Sequence, residues 1–346
     1  MELEQDYKLT RFAHGAGCGC KLSQGKLSEV LKSLQSIPRS ASLLRGFENQ
    51  DDAAVYRIND VYSLVCTLDF FMPIVDDAYT FGRIAACNAL SDVYAMGGKP
   101  AVALSILGWP ENTLPIALAG QVLSGASEIC EQAGVSLAGG HSIDNPEPIF
   151  GLSVTGLVNS NSFRSNEMAT SSCSIYYSKP LGIGLASTLV KGNTLTVLPN
   201  SVLDAMVSLN NEGERMAELS YVKTMTDVSG FGLLGHLFEV CNASNINAVI
   251  EYKHLRIFEE LTNFIFPFLV PKATNANRYA LGDSVKFSCD NQFVILCDPQ
   301  TSGGLLVFIE EGFENDFETE MKILGKEYRR IGYTCEKQTS FRIEVM

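Results

Sequence analysis

The chain carries little positive charge. Of its 346 residues, 26 are Lys or Arg and 39 are Asp or Glu, so the formal net charge is −13. Nucleic acids and anionic membrane surfaces are bound mainly through basic patches, and this composition therefore argues against both as partners. If the substrate is itself an anion, cations must mediate its binding.

The sequence also lacks the segments that typify membrane and exported proteins. No apolar run approaches the ~20 residues that span a bilayer. The most apolar run, Phe264 to Val270, is interrupted by Pro267. The acidic residues 1–6 are not followed by the apolar core of a signal peptide. The ten cysteines have no framework spacing, which indicates reduced thiols. We therefore expect a cytoplasmic protein.

The length and the order of periodic segments predict two domains. A chain of 346 residues is long for one core and sufficient for two. A polar stretch over 159–174 is the predicted boundary. Each half mixes strands with helices and carries its own acidic, glycine-rich turn. We therefore expect an α+β fold of two related mixed α/β domains that face a shared cleft. The predicted division is a flexible arm over 1–25, an N-terminal domain over 26–158 and a C-terminal domain over 159–346.

Hydrophobic periodicity predicts the main elements of both halves. Helices are predicted over 27–34 (ending before Pro38), 81–96, 118–133, 201–219 and 233–241. Strands are predicted over 62–69, 101–107, 135–138, 149–158, 174–178, 293–297 and 305–309. Gly139 and Gly140 then follow the end of a strand, where bared backbone N–H groups suit a phosphate or a tight turn equally well.

Residues 14–21 combine three glycines, two thiols, an imidazole and an amine. Such a stretch has no apolar period, and we expect a mobile loop. It fails the spacing of a phosphate-binding P-loop. A metal site from His14, Cys18 and Cys20 lacks the fourth ligand of a structural zinc site. A third interpretation is a reactive arm in which Lys21 favours the thiolate of Cys18. The stretch alone does not exclude a disordered leader without a role.

Four carboxylates are predicted to share one site: Asp52, Asp69, Asp92 and Asp227. The alternative is that they are scattered turn and cap residues. Asn88 and Asp92 are four residues apart and therefore share a helix face. Two carboxylates ~4 Å apart repel by ~4 kcal/mol at the effective dielectric of a protein site, so a cluster needs a divalent cation. Carboxylate oxygens favour Mg²⁺. These residues predict a magnesium-dependent phosphoryl-transfer enzyme.

Eight motifs carry a family resemblance. They are HGAGCGCK (14–21), DDAAVY (51–56), TLDFFMPIVDD (67–77), FGRIAACNALSDVYAMGGKP (81–100), LAGGHSID (137–144), KPLGIG (179–184), TDVSGFGLLGH (226–236) and DPQTSGGLL (298–306). From about Leu9 to its end, the chain resembles the selenophosphate synthetase (selenide, water dikinase) family. The wider superfamily includes aminoimidazole ribonucleotide synthetase and thiamine-monophosphate kinase. These relatives share the two-domain α+β architecture and the acidic ATP site, but not the Cys/Lys arm.

The resemblance implies that ATP, selenide and water give selenophosphate, phosphate and AMP. It implies catalytic roles for Cys18, which would hold or deliver selenium or orient the arm, and for Lys21, which would contact phosphate. It implies Mg²⁺ ligands at Asp52, Asp92 and Asp227. Nucleotide-site positions, besides Lys21 and Asp92, are Asn49, Gln50, Asp51 and Asp69. The segment Gly139, Gly140 and His141 would reach ATP from the partner subunit of a homodimer formed through the N-terminal domains. A selenium-delivery protein is a further candidate partner.

The chain departs from the family pattern at two places. Gln50 stands where members often carry Arg, and residues 272–277 lack the arginine of a GGT-x-R-N segment. Contacts to the phosphates of ATP at these points would be weaker or supplied differently. One alternative function is a non-catalytic nucleotide-binding regulator, because some relatives of the family lack the reactive cysteine, although this chain keeps both Cys18 and Lys21. Another alternative is an ATP-dependent enzyme that uses sulfide or a similar nucleophile, because sulfur and selenium anions are alike in size and charge.

Overall fold

The computed structural model describes residues 7–22, 24–34, 40–266 and 270–346. The acidic residues 1–6, Pro38 and Pro267 lie outside them. The strands are β1 (Leu43–Arg45), β2 (Ala54–Arg57), β3 (Tyr62–Phe71), β4 (Lys99–Trp109), β5 (Ser136–Asp144), β6 (Ile149–Asn159), β7 (Cys173–Tyr177), β8 (Val222–Asp227), β9 (Asn247–Ile250), β10 (Val285–Phe287), β11 (Leu305–Glu310), β12 (Arg329–Cys335) and β13 (Ile343–Val345).

The α-helices of the described residues are α1 (Gln24–Leu31), α2 (Ala78–Ala95), α3 (Ile116–Gln132), α4 (Ile183–Lys191), α5 (Asn200–Val207), α6 (Glu212–Met216), α7 (Gly232–Ala243), α8 (Lys272–Leu281), α9 (Phe293–Leu296) and α10 (Glu314–Ile323). Short 3₁₀ helices are Leu9–Phe12, Cys18–Cys20, Lys32–Leu34, Asn166–Met168, Tyr252–His254, Glu259–Phe264, Gly282–Ser284 and Asp290–Gln292. None of these helices is both long enough and apolar enough to cross a membrane.

Two mixed sheets organise the described residues. The first is six-stranded in the order β1-β2-β3-β6-β4-β5, and only its β4–β5 pair is parallel. The second is seven-stranded in the order β10-β13-β9-β12-β7-β11-β8 and is parallel at its β10–β13 and β13–β9 pairs. The first sheet ends at Asn159 and the second begins at Cys173. The predicted polar boundary lies between them, and the exact division into domains stays a prediction.

Most predicted elements are present, and three of them differ from the prediction. Residues 293–297 do not form a strand: Phe293–Leu296 is one turn of helix. A short apolar run does not distinguish a buried strand from a buried helical turn. The strand predicted over 135–138 does not stop at the glycine pair, because β5 continues through Gly139 and Gly140 to Asp144. The helical region predicted over 201–219 is two short helices, α5 and α6.

Helix α2 is the central helix of the first half. The Asp77 carboxylate caps it by accepting a hydrogen bond from the backbone N–H of Thr80 at 2.7 Å. The helix packs on β3 and β6 and crosses α3. The crossing is close because Gly82 faces the α3 backbone, where a Cβ on Gly82 would lie 1.9 Å from the Val122 carbonyl oxygen. This close packing fixes the depth at which α2 lies against the sheet.

Replacing Gly82 with Ala therefore tests the helix crossing. The added methyl group meets backbone that cannot rotate away, and we expect the free energy of unfolding to fall by about 2 kcal/mol. Gly120→Ala on α3 is the matched control, since a Cβ there would meet nothing within 4 Å. That variant should be neutral or more stable by up to about 1 kcal/mol, because Ala favours helix. Chemical denaturation of both variants measures the difference, and equal stabilities would contradict the described crossing.

Candidate active site

Three carboxylates meet where the two halves of the molecule join. Asp52 precedes β2, Asp92 lies in the last turn of α2, and Asp227 ends β8. One oxygen from each lies within 4.8 Å of the others. Helix α2 packs against β8, and this contact brings Asp92 of the first half to Asp227 of the second. The structure thus gathers the three predicted Mg²⁺ ligands into one cluster.

Burial and mutual repulsion disfavour the charged forms of this cluster. Burial, followed by the charges of Asp227 and Asp92, raises the pKa of Asp52 well above its ordinary value. Burial, with Asp227 next, raises the pKa of Asp92 in the same way. Burial also raises the pKa of Asp227. Ionisation of all three carboxyl groups is therefore unfavourable unless a cation binds between them.

The donor set fits Mg²⁺. Hydroxyl groups of Thr67 and Thr226 donate hydrogen bonds to Asp92 and Asp52, at 2.5 Å and 2.9 Å. The Oδ2 atom of Asp227 is buried and has no hydrogen-bond partner among the described residues. A buried carboxylate oxygen without a partner, beside two other carboxylates, is the arrangement that a hard divalent cation completes.

Asp69, the fourth predicted acid, lies beside this cluster and is paired with a cation. It belongs to the interior of β3, which continues to Phe71, and not to the strand end where it was expected. Its Oδ2 atom accepts hydrogen bonds from Lys21 Nζ at 3.1 Å and from Asn88 Nδ2 at 2.5 Å. Burial alone would lower the pKa of Lys21, but the charge of Asp69 and its neighbours outweighs burial and raises it. Lys21 is therefore a firmly charged ammonium group.

The glycine-rich arm is docked against both halves. Gly17 pairs with Met72 through backbone hydrogen bonding, and the N–H of Cys18 donates to Thr301 Oγ1 at 2.9 Å. Cys18 is 1% exposed and belongs to the main hydrophobic cluster, which an unattached loop would not allow. Docking removes the thiol from water, and the mobility of the arm stays a prediction.

The docked arrangement favours the neutral thiol of Cys18 over the thiolate. Lys21 does lower the pKa of Cys18, but burial acts more strongly and raises it well above its usual value. The neutral thiol donates a hydrogen bond to Asn88 Oδ1 at 3.2 Å. Desolvation of an anion therefore outweighs the attraction of one nearby ammonium group.

Asn88 is a site residue to which the sequence analysis gave no role. It joins the arm to Asp69, since its amide nitrogen donates to the carboxylate and its oxygen accepts from the Cys18 thiol. The same oxygen accepts the backbone N–H of Ser302 at 2.8 Å. The signal available in the sequence was its spacing of four residues from Asp92 on α2, which places both on one helix face.

The predicted nucleotide positions Asn49, Gln50 and Asp51 lie before Asp52 and contact the segment between the sheets. The Asp51 carboxylate accepts the backbone N–H of Asn166 at 2.7 Å, and Asn49 Nδ2 donates to Glu167 Oε2 at 2.7 Å. The Gln50 side chain is exposed and its backbone has a positive φ of 54°. Their assignment to a nucleotide site stays a prediction.

The predicted segment Gly139, Gly140 and His141 lies at the far edge of the first sheet. It belongs to β5, three strands from β3 in the sheet order, and the described cluster of carboxylates does not include it. The segment is exposed. An exposed sheet edge is accessible to a second subunit. The role of this segment across a dimer stays a prediction.

The metal site considered from His14, Cys18 and Cys20 is absent from the described part of the chain. A search of these residues for groups that could hold a metal gives Asp52, Asp92 and Asp227 alone. His14 instead pairs through Nδ1 with Glu147 at 2.7 Å. The Cys18 thiol is directed to Asn88.

Comparison with known proteins first defines the class of protein to which the chain belongs. The family model for "AIR synthase related protein, N-terminal domain" matches residues 50–158, and that for the C-terminal domain matches residues 171–344. The fold is similar to that of thiamine-monophosphate kinase from Stenotrophomonas maltophilia, with a TM-score of 0.67, 20% identity and coverage of 94% of this chain and 96% of that one. The predicted α+β fold of the aminoimidazole ribonucleotide synthetase-like type is confirmed.

Closer relatives define the family. The chain is 47% identical to the selenide, water dikinase of Sulfurimonas denitrificans over 335 residues, which are 96% of this chain and 98% of that protein. It is 44% identical to the selenide, water dikinase of Pseudomonas putida over 345 residues, which are 99% of this chain and 100% of that protein. The chain belongs to the selenide, water dikinase family, as the motifs predicted.

Replacing Asp92 with Asn tests the electrostatics of the cluster. The amide removes one charge, and its oxygen can still accept from Thr67. Without divalent cations, we expect the variant to be more stable than the wild type by about 1 kcal/mol at neutral pH, which corresponds to an increase in Tm of about 2 °C. The pKa of Asp92 is raised in the folded state. The gain should therefore vanish below about pH 4, where this carboxyl is protonated in both states, and grow as the pH rises.

Thermal unfolding with and without Mg²⁺ measures this effect, with exposed Asp204→Asn on α5 as the control. Added Mg²⁺ should stabilise the wild type and the control more than Asp92→Asn. Equal stabilisation of all three proteins by Mg²⁺ would show that the cluster does not bind the ion.

Proposed function

We propose that this protein is an ATP-dependent selenide, water dikinase, which converts ATP, selenide and water to selenophosphate, phosphate and AMP. The observation that carries the proposal is the docking of Cys18 and Lys21 beside the cluster of Asp52, Asp92 and Asp227. The close similarity to selenide, water dikinases over nearly the whole chain favours this activity over a non-catalytic nucleotide-binding regulator.

Asp52, Asp92 and Asp227 would hold Mg²⁺ together with phosphate oxygens of ATP. When bound, the ion would neutralise the carboxylates and the nucleotide phosphates, which lets a chain of net charge −13 take an anionic substrate. The free Oδ2 atom of Asp227 and the raised pKa values of the three groups support this assignment.

Lys21 would contact the phosphoryl group that is transferred. In the reaction, a bond forms between selenium and the γ-phosphorus while the bond from that phosphorus to the bridging oxygen breaks, and water then takes the β-phosphoryl group of ADP. Such transfers depend mainly on positioning and charge stabilisation. Asp69 holds the Lys21 ammonium group at 3.1 Å and keeps it charged, which supports this role.

Cys18, Asn88 and Thr301 would hold the arm closed over the reacting groups. Closure excludes water while the phosphoryl group passes to selenide, which prevents wasteful hydrolysis. In the docked arrangement the neutral thiol donates to Asn88, and this supports a role of Cys18 in orienting the arm. Delivery of selenium by Cys18 would require the arm to leave this position.

A homodimer would form through the first sheet. Residues on its outer face lie opposite one another across β2, β3, β6 and β4. The large side chains of this face are 43–54% exposed: Tyr56, Tyr62, Leu68, Phe70, Leu104 and Leu157. An apolar sheet face of this kind favours a second copy of the chain as its partner.

The dimer would also bring Gly139, Gly140 and His141 of one subunit to the nucleotide of the other. Asn49, Gln50, Asp51 and Asp69 would complete the nucleotide site. We further propose that the protein works in the cytoplasm without nucleic acid or membrane partners, and that a selenium-delivery protein supplies its substrate. The acidic composition supports the absence of polyanionic partners.

The activity is tested by phosphorus NMR under anaerobic conditions, with ATP and Mg²⁺ and with or without selenide. We expect selenide-dependent formation of AMP and a phosphorus–selenium signal from the wild type. Cys18→Ser and Lys21→Ala should each lower the turnover by about 100-fold or more, because phosphoryl transfer loses its positioned groups. Cys289→Ser is the control, since this cysteine is exposed and should not affect turnover.

ATP binding without selenide-dependent AMP would contradict the proposed activity and favour the regulator. The same experiment with sulfide in place of selenide tests the other alternative. AMP formation that depends on sulfide and not on selenide would identify an enzyme that uses sulfide. Wild-type turnover by either arm variant would contradict the role assigned to the arm.

The dimer is tested with Leu104→Glu, which places a charge on the outer face of β4. Burying that charge between subunits is costly, and we expect the dimer dissociation constant to rise by about 100-fold, equivalent to ~3 kcal/mol. Ile323→Glu on α10 is the control, because Ile323 is 74% exposed and α10 packs on β11 of the second sheet. Sedimentation analysis reports the outcome, and an unchanged dimer in Leu104→Glu would place the interface elsewhere.

A further inference from the structure

A small cavity borders the arm, and two of the side chains on its wall are lysines. Its volume is about 210 Å³, and its wall includes Cys18, Lys21, Gly230, Phe231, Lys272 and Asn277. Among the described residues, no Asp or Glu lines it. In a chain of net charge −13, two lysines on one cavity wall are a local exception, with Lys21 paired to Asp69 from outside the wall and Lys272 left without a partner among the described residues. Its charge suits an anion.

Lys272 has no established role in the site described above. It is exposed and forms no ion pair or side-chain hydrogen bond with the part of the chain that the structure describes. It also borders a larger cavity of about 650 Å³, where Lys191 lies on the wall. Lys191 differs from it, because its ammonium group donates to the carbonyl of Ala13 at 3.4 Å. The charge of Lys272 is thus available to a ligand.

The backbone adds to the positive potential at this point. Lys272 is the first residue of α8, a helix of ten residues. The aligned peptide dipoles of a helix give its N-terminus a partial positive charge, which attracts anions. Ala273 and Ala276 of the same helix also line the small cavity and leave room for a ligand. The ammonium group of Lys272 and the N-terminus of α8 therefore both attract an anion.

The size of the cavity limits the anion. Sites for drug-sized ligands occupy about 300–1,000 Å³, so a volume of about 210 Å³ suits a small inorganic ion and not a nucleotide. The carboxylate cluster is the complementary place for a metal-bound nucleotide, whose phosphates need a divalent cation there. The two anionic substrates of the proposed reaction would then occupy opposite kinds of environment.

We propose that this cavity binds the selenium substrate as hydrogen selenide, with Lys272 and Lys21 holding the anion beside Cys18. The proposal rests on the proposed function. It makes Lys272 a substrate-binding residue, specific for the nucleophile and not for ATP. The buried, neutral Cys18 thiol is compatible with this binding, because a thiolate on the cavity wall would repel the incoming anion.

The test is steady-state kinetics under anaerobic conditions on the full-length protein, with selenide and ATP varied separately. Lys272→Ala should raise KM for selenide by about tenfold, the effect of losing one charge-assisted contact. Its KM for ATP and its kcat at saturating selenide should stay within about twofold of wild type. Lys272→Arg should restore most of the affinity. Lys253→Ala is the matched control, since Lys253 is also exposed and borders neither cavity.

An unchanged KM for selenide in Lys272→Ala, or an equal rise in KM for ATP, would overturn the proposal. Product inhibition by orthophosphate distinguishes the other small anion of the reaction. If Lys272→Ala weakens inhibition by orthophosphate and leaves KM for selenide unchanged, the cavity holds the product and the proposal is wrong. Failure of the proposed function is a separate result, because the wild type itself would then form no selenide-dependent AMP.

Discussion

Repulsion among three clustered carboxylates, of which Asp227 is buried and Asp52 and Asp92 are half-buried, is the constraint on which the site depends. Asp52, Asp92 and Asp227 come from three distant parts of the chain, and α2 packing against β8 holds them together. Their raised pKa values express the cost of this arrangement in the absence of a cation. A fold that maintains such a cluster between its halves is suited to bind a divalent ion there, and ion binding would in turn join the two halves.

The glycine-rich arm supplies a positive charge next to the carboxylates and packs over the site. Lys21 places an ammonium group on Asp69, next to the cluster, while Cys18 is buried between Asn88 and Thr301. Gly17 permits this close approach: it has a φ of 49°, and a Cβ there would lie 2.2 Å from Thr301 Oγ1. Docking thus separates an acidic face, suited to a metal-bound nucleotide, from a cavity lined by lysines.

Local sequence patterns predicted the helices and strands that position the site, but they did not predict the contacts between residues distant in sequence. The period of α2 and the spacing of Asn88 and Asp92 follow from sequence, because helix faces repeat every three to four residues. The hydrogen bond from the Cys18 backbone N–H to Thr301 Oγ1 joins residues 283 positions apart, and no local sequence pattern encodes such a contact. For the same reason, the burial that keeps Cys18 neutral could not be predicted from its neighbour Lys21. The helical turn at Phe293–Leu296 shows that short apolar runs stay ambiguous.

The most direct test of the account is an anomalous-scattering experiment on crystals grown with Mn²⁺, which replaces Mg²⁺ at oxygen-ligand sites. The account predicts a manganese peak within bonding distance of carboxylate oxygens of Asp52, Asp92 and Asp227. No peak between these three residues at saturating Mn²⁺, or a peak held by other residues alone, would contradict the claim that a divalent cation joins the two halves of the site.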